Sequence, residues 1–186
     1  KSKLGHKEYI SLTNKKLLEL VSLEKKKIYN LPNIHDEKYD LVFTSYGTVG
    51  WLPDSNKWAK VISHFLKPGG KFVFAEFHPA MWMFDDAVEK VAYRYFNSDP
   101  IVEDEEGTYT DKNADIKETC VTWNHSLGEI FNSLKNNGLQ TVEFNEYDYS
   151  PYNCFQNLEE FEKGKYRFKH HGDKLPMVYS LVAIKN

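Results

Sequence analysis

The sequence lacks the features that mark membrane, secreted and nucleic-acid-binding proteins. No apolar run approaches the ~20 residues of a membrane span, and no signal peptide opens the chain. Lysine and arginine total 24 against 27 acidic residues, so the net charge of −3 leaves no basic excess for nucleic acid. The two cysteines, Cys120 and Cys154, suit free thiols in a reducing compartment better than a disulfide. These absences predict a cytoplasmic protein without a membrane or nucleic-acid partner.

Glycine is scarce at the start of the chain, where Gly5 is the only one among residues 1–38. A nucleotide-binding Rossmann half begins with a strand, a glycine-rich turn and a helix, followed by an acidic residue about 20 positions on. Residues 1–38 show neither that strand nor a G-x-G, and Glu8–Leu23 predicts an amphipathic helix instead. The usual phosphate-binding start of a dinucleotide site is therefore missing.

Metal-ligand patterns are missing as well. The acidic run Glu103–Glu106 lies in Pro100–Gly107, which we expect to be a solvated turn, and no His or Cys neighbours it at ligand spacing. We therefore predict no metal site. A length of 186 residues with 41% hydrophobic and 27% charged residues predicts one globular domain. The aromatic content of 15% indicates either a thick core or a pocket for an organic substrate.

The most informative stretch is Tyr39–Pro79, which predicts a strand, a helix and a second strand. Tyr39–Phe43 and Phe72–Phe77 are apolar runs of strand length. Between them, five apolar residues recur at helical spacing: Trp58, Val61, Ile62, Phe65 and Leu66. Asp54 or Ser55 caps that helix, and Pro68–Gly70 ends it. Two near-continuous apolar strands joined through a helix predict a right-handed βαβ crossover in a parallel sheet.

The rest of the chain predicts an insertion, a helix and two strands. Within residues 80–124 we expect a short helix, a strand and a strand pair, at Ala80–Glu89, Val91–Phe96, Gly107–Asp111 and Lys117–Asn124. After it we expect a helix, a strand, a polar loop and a last strand, at Leu127–Asn137, Leu139–Tyr149, Ser150–Pro176 and Met177–Lys185. We predict that residues 80–124 cap the sheet and shape a substrate pocket within a single domain, residues 1–186.

Three segments of the chain carry a resemblance to a known family: YDLVFTS from Tyr39, LKPGG from Leu66 with EFHP after it, and WNHSLGEI from Trp123. Together they resemble the second half of class I S-adenosylmethionine-dependent methyltransferases, in particular small bacterial ones of unassigned substrate. The resemblance covers roughly residues 24–186. It implies an α/β Rossmann-like sheet, mostly parallel with an antiparallel C-terminal strand and an incomplete N-terminal half. It also implies S-adenosyl-L-methionine as the cofactor.

By this resemblance the cofactor lies at the carboxyl end of the first strand, where open α/β sheets bind ligands. The residues expected to bind it are Ile28, Thr44, Ser45, Tyr46, Gly47 and Trp51. The indole of Trp51 would attract the sulfonium charge through its ring face. Lys27 stands where the family pattern has an aspartate, so at the adenine we expect only a backbone contact, at Ile28.

Methyl transfer needs a base only when the acceptor must lose a proton, so no catalytic triad is expected. His78, which ends the second strand, is the predicted catalytic residue, as a base or as a substrate ligand. A structural role for His78, capping Glu76 or a loop carbonyl, is the alternative. His125, Tyr93 and Tyr109 are predicted to face the substrate, although the start of a helix beside His125 offers a structural explanation too.

Two classes of function remain open. The leading hypothesis is a methyltransferase that acts on an unidentified small molecule by in-line methyl transfer, as a monomer or homodimer. The alternative is a methyltransferase-like binding or scaffold protein without catalysis, which Lys27 and the missing glycine loop favour. A dehydrogenase would leave LKPGG unexplained. We also expect a segment with the glycine-rich loop to belong between the first helix and Glu24, which an α-carbon step well above about 3.8 Å within residues 18–26 would reveal.

Overall fold

The computed structural model describes residues 27–85, 87–96, 99–106 and 115–186. Its helices in chain order are α1 (Lys27–Asn30), α2 (Ser55–Phe65) and α3 (Leu127–Asn136). Its strands are β1 (Tyr39–Thr44), β2 (Leu66–Phe77), β3 (Ile101–Glu106), β4 (Lys117–Thr122), β5 (Leu139–Tyr147), β6 (Leu158–Glu162), β7 (Lys165–Phe168) and β8 (Val178–Lys185). Short 3-10 turns lie at Leu31–Asn33, Val49–Trp51 and Met81–Met83.

The central sheet has the strand order β1-β2-β8-β5. β1 and β2 pair in parallel, with Phe43 opposite Val73, as the βαβ pattern predicts. β8 runs antiparallel to both of its neighbours, β2 and β5. Three strands therefore point one way and the C-terminal strand points the other, which confirms the predicted α/β fold class.

Helix α2 begins at the predicted cap and packs the predicted face on the sheet. Asp54 is the N-cap, and its carboxylate accepts a hydrogen bond from the backbone N–H of Lys57 at 2.8 Å. That bond satisfies one of the N–H groups that have no partner within the helix. One turn on, the buried Trp58 ring lies 5.1 Å from the ring of Phe74 on β2. The apolar stripe of the helix therefore supplies the core beneath β2.

The main core lies between the sheet and the pair α2 and α3. It joins buried residues of both helices and of the central strands: Trp58, Ala59, Ile62, Leu66, Phe72, Phe74, Ile130, Leu134, Tyr179, Leu181 and Ala183. The two helices also meet through a 2.8 Å hydrogen bond between the buried hydroxyls of Ser55 and Ser133. A second apolar cluster, which includes Phe77, Phe168 and Met177, lies at the carboxyl end of β2.

The LKPGG segment is part of β2, which starts at Leu66 and not at Phe72 as predicted. Tyr39 pairs with Leu66 but Leu41 pairs with Lys71, so residues 67–70 bulge out of the ladder. A Cβ at Gly70 would lie 2.8 Å from the carbonyl oxygen of Lys67. The bulge therefore requires glycine at position 70.

Residues 80–124 differ from the prediction in three places. The described residues of Ala80–Glu89 form no α-helix, because Phe84 bridges to Val91 and turns the chain back after the single 3-10 turn Met81–Met83. Val91–Phe96 makes that bridge but is not a strand. The acidic stretch is strand β3, paired antiparallel with β4, and not a solvated turn. The strand that was predicted to pair with Lys117–Asn124, at Gly107–Asp111, lies outside the described residues.

The predicted polar loop Ser150–Pro176 contains the antiparallel hairpin β6–β7. Ser150 also bridges to Tyr166 of β7, which draws the loop back towards the end of β5. The predicted helix Glu8–Leu23 and the expected break within residues 18–26 lie outside the described residues. In the part of the chain that the structure describes, no helix is both long and apolar enough to cross a bilayer.

Candidate functional site

The segment that follows β1, residues 45–49, is here named the β1 loop. Thr44 ends β1, and the loop leads into the 3-10 turn Val49–Trp51. The hydroxyl of Thr48 donates a 2.5 Å hydrogen bond to the carbonyl oxygen of Ser45, which closes the loop on itself. Gly47 has φ +70°, a conformation that glycine adopts without steric cost.

The carboxylate of Glu76, on β2, binds the backbone of the β1 loop. Its Oε1 accepts the N–H of Gly47, and its Oε2 accepts those of Thr48 and Val49, at 2.9 and 3.3 Å. The N–H of Phe77 adds a bond of 2.8 Å to Oε1. Glu76 is only 3% exposed. Burial raises the pKa of its carboxyl, the backbone hydrogen bonds lower it, and the effect of burial is the larger, so the pKa is raised overall. The end of β2 and the β1 loop are therefore joined by one buried acidic group.

Tyr46 faces a cluster of aromatic side chains. Its ring lies 5.5 Å from the ring of Phe77 and 5.8 Å from that of Tyr152. Trp82 and Phe155 extend the cluster, each in an edge-on contact with Phe77 at 5.8 and 5.0 Å. Burial raises the pKa of the Tyr46 hydroxyl, so the phenol stays neutral near pH 7. The cluster offers an apolar wall beside the β1 loop.

Trp51 and Ile28, the two other residues predicted to bind the cofactor, differ in their surroundings. Trp51 is 53% exposed, so its indole face is open to a ligand. Ile28, on α1, packs its half-buried side chain against the main core. The neighbouring Tyr29 accepts the backbone N–H of Asp54 at 3.1 Å, which ties α1 to the start of α2.

Residues 123–125 connect the β1 loop region to the end of β2. The N–H of Trp123 donates to the carbonyl oxygen of Gly50 at 2.8 Å. The buried Asn124 side chain donates to the carbonyl oxygen of Pro79 at 3.1 Å. His125 reaches the carbonyl oxygen of Leu52 at 2.7 Å. These three contacts place residues 123–125 against Gly50 and Leu52, which follow the β1 loop, and against Pro79, which follows β2. Of the predicted site residues, His125 is the one that makes such a contact itself.

His125 is buried and doubly hydrogen-bonded. Its Nε2 lies 2.7 Å from the carbonyl oxygen of Leu52, and its Nδ1 lies 2.7 Å from a carboxylate oxygen of Glu129. Both partners are acceptors, and two donating ring nitrogens exist only in the charged imidazolium, so this arrangement favours the charged form. Burial lowers the pKa of His125, but the bonds to Glu129 and Leu52 outweigh it and raise the pKa overall. This geometry favours the structural explanation for His125.

His78 is also buried and has both ring nitrogens engaged. The backbone N–H of Ala80 donates to Nδ1 at 3.1 Å, so the proton of the neutral ring is on Nε2, which donates to Glu146 at 2.9 Å. Burial lowers the pKa of His78 more than the Glu146 carboxylate raises it. The partner of the ring is thus Glu146, and not Glu76 as the structural alternative supposed. In this arrangement neither nitrogen of His78 is available to take a proton from a substrate.

Two other residues were predicted to face the substrate, Tyr93 and Tyr109. The hydroxyl of Tyr93 donates a 2.5 Å hydrogen bond to the carboxylate of Glu103, which belongs to the same segment, residues 80–124. Tyr109 lies outside the described residues. Across the described ranges, no three His, Cys, Asp or Glu side chains come together as metal ligands.

Sequence reasoning missed Glu76 and Glu146 as members of this site. A signal existed for Glu76, since a carboxylate inside the apolar run Phe72–Phe77 must have hydrogen-bond partners when it is buried. No such signal marked Glu146, because its link to His78 depends on the packing of β5 beside β8.

The solved structures to which this chain is similar are described as S-adenosylmethionine-dependent methyltransferases. A protein from Listeria monocytogenes assigned to this class matches with a TM-score of 0.57 and 19% identity, over 88% of this chain and 68% of that one. One from Clostridium acetobutylicum matches with a TM-score of 0.49 and 16% identity, over 86% of this chain and 62% of that one. No protein-family model and no curated protein matches the sequence.

The Listeria structure shows the fold. The chain has the Rossmann-like fold of S-adenosylmethionine-dependent methyltransferases, as the resemblance of its motifs predicted. The chain spans 68% of the length of the Listeria protein and 62% of that of the Clostridium protein, and 52% to 63% of the length of others that it matches.

Proposed function

We propose that the protein is an S-adenosylmethionine-dependent methyltransferase that acts on a small molecule. The observation that carries this proposal is the β1 loop, held at the carboxyl end of parallel strands β1 and β2 in a sheet with this fold. Ligands of open α/β sheets bind at that edge. The bound cofactor would supply an activated methyl group and its own leaving group, so the protein's part is to bind, orient and exclude water.

The residues at this edge fit such a cofactor. A side-chain atom added at Gly47 would meet nothing within 4 Å, so there is space on that side of the β1 loop. The exposed indole of Trp51 offers a ring face to a cation. Thr44, Ser45 and Tyr46 would line the methionine end, and the backbone of Ile28 the adenine.

The acceptor side is formed by the aromatic cluster and residues 80–124. The contact between Trp123 and Gly50 supports a capping role for that segment. With both nitrogens of His78 engaged, the protein would act on an acceptor by positioning it against Tyr46 and Phe77. His78 would serve as a base only after Nδ1, which carries the lone pair, is released from the N–H of Ala80.

The same engagement of His78 favours the second candidate, a methyltransferase-like binding or scaffold protein without catalysis. Such a protein would bind neither S-adenosylmethionine nor its demethylated product, S-adenosylhomocysteine. Binding of these two compounds therefore separates the candidates.

The test is calorimetric titration with S-adenosylhomocysteine, on the wild type and on two matched variants. Gly47→Ala and Gly164→Ala impose the same backbone strain, because both glycines have φ near +70° with open space around them. The strain costs about 1–2 kcal/mol in each variant. We expect the wild type and Gly164→Ala to bind S-adenosylhomocysteine with similar affinity, and Gly47→Ala to bind it clearly more weakly. Equal affinity in both variants would mean that the β1 loop is not part of the binding site. No binding by the wild type would favour the binding or scaffold protein.

A further inference from the structure

The Glu76 carboxylate holds the β1 loop through backbone groups alone. Its four hydrogen-bond donors are the N–H groups of Gly47, Thr48, Val49 and Phe77. Three of these belong to successive residues of the loop, so their N–H groups converge on one acidic group. The β1 loop is thereby tied to β2.

The direction of those N–H groups depends on the acidic group. Successive backbone N–H groups around an anion form a concave nest, and the φ of +70° at Gly47 turns the chain into that shape. Glu76 is 3% exposed and Val49 is 5% exposed, so the N–H of Val49 would have no solvent to replace the carboxylate. The loop conformation and the carboxylate therefore stabilise each other.

We propose that Glu76 is a positioning residue for cofactor binding, which acts by fixing the β1 loop. This inference rests on the proposed function, because the loop matters for binding only if the cofactor lies against it. Glu76 itself faces the inner side of the loop and touches its N–H groups, which leaves the loop's other side for a ligand.

Glu76→Gln is the sharpest perturbation. Glutamine keeps the size of the side chain, but one of the two oxygens becomes an NH₂ group, which donates and cannot accept. At least one N–H of the loop would then face another donor in a buried site, where an unmatched donor is costly. The loop should open while β2 and its neighbours keep their packing.

Leu134→Ala is the matched control. Leu134 is fully buried on α3 in the main core, which also contains Val49, and its side chain makes no hydrogen bond. Its truncation therefore lowers stability and leaves all the donors and acceptors of the Glu76 hydrogen bonds in place. Comparing the two variants separates a specific effect on the loop from a general loss of stability.

The experiment measures amide hydrogen exchange in residues 45–49 and the dissociation constant of S-adenosylhomocysteine, with all variants well below their melting temperatures. In Glu76→Gln we expect exchange in the loop to accelerate by about tenfold or more and the dissociation constant to rise by about tenfold or more. Leu134→Ala should leave both within about twofold of the wild type. If Glu76→Gln does not fold, Glu76→Asp is measured against the same expectations. Aspartate keeps the negative charge, but its shorter side chain moves the carboxylate away from the N–H groups of the loop.

Unchanged exchange in the loop of the Glu76 variant would overturn the inference, and so would a change in affinity no larger than that of Leu134→Ala. A wild type that does not bind the ligand would refute the proposed function, and with it the link to the cofactor. The exchange data would still decide whether Glu76 holds the loop, so the two failures are distinguishable.

Discussion

Replacing His125 with glutamine should remove a pH-dependent part of the stability. His125 is 7% exposed and donates to the carboxylate of Glu129 and to the carbonyl oxygen of Leu52. A hydrogen bond to a charged group is worth about 1.5–3 kcal/mol. The Glu129 side chain is 41% exposed, so solvent screens its bond and the lower end applies there. We therefore expect His125→Gln to lower the free energy of unfolding by about 2–3 kcal/mol at pH 6.

The sign of the pH dependence follows from the directions of the two pKa shifts. The folded-state pKa of His125 is raised, so its contribution is full below the unfolded value of about 6.5 and is lost as pH rises through the folded value. The pKa of Glu129 is lowered, so its contribution is full above about 4.3 and is lost as pH falls. Asp54, the other acidic group that acts on His125, also raises its pKa. The pair is therefore most stabilising between about pH 4.3 and pH 6.5.

The assay is urea unfolding of the wild type and the variant from pH 5 to pH 9. The difference between them should be largest near pH 6 and shrink above it, by at most about 1.4 kcal/mol per pH unit. His78→Gln is the matched control, because the pKa of that buried histidine is lowered. The contribution of His78 is full above about pH 6.5 and is lost as pH falls, so its difference should grow from pH 5 to pH 7. A His125 difference that stays constant or grows between pH 6 and pH 9 would refute the charged-pair reasoning.

Two further predictions concern the cap of α2 and the role of His78. Asp54→Ala removes the hydrogen bond to the N–H of Lys57 and should lower the free energy of unfolding by about 1 kcal/mol in urea titrations; no change would mean that Tyr29 alone secures the helix start. His78→Ala should lower kcat more than it weakens cofactor binding if the ring acts on the acceptor, whereas equal losses with a lower melting temperature would make His78 structural.

Much of the fold could be predicted from the sequence, because it is encoded in local patterns. The helical spacing around Trp58, the cap at Asp54 and the two apolar runs beside them lie within Tyr39–Pro79. Each is a short-range preference that its own residues satisfy, and the structure has the parallel pair β1 and β2 there. The motif LKPGG identified the fold, although not its own conformation, since the bulge depends on the register of β1 against β2.

The contents of the site were decided by tertiary structure. Glu76 and Gly47 are 29 residues apart, His78 and Glu146 are 68 apart, and neither pairing leaves a periodic signal in the sequence. The same holds for strand β3, whose acidic composition predicted a turn until its partner β4 was known. Burial and hydrogen-bond partners set the protonation of His78 and His125, which share one side-chain chemistry and shift in opposite directions. By itself the sequence determined the strand, helix and strand of Tyr39–Pro79 and which residues lie near their ends. Only the folded chain determined that His78 binds Glu146 and that the N–H groups of the β1 loop bind Glu76, because those contacts join segments that are distant along the chain.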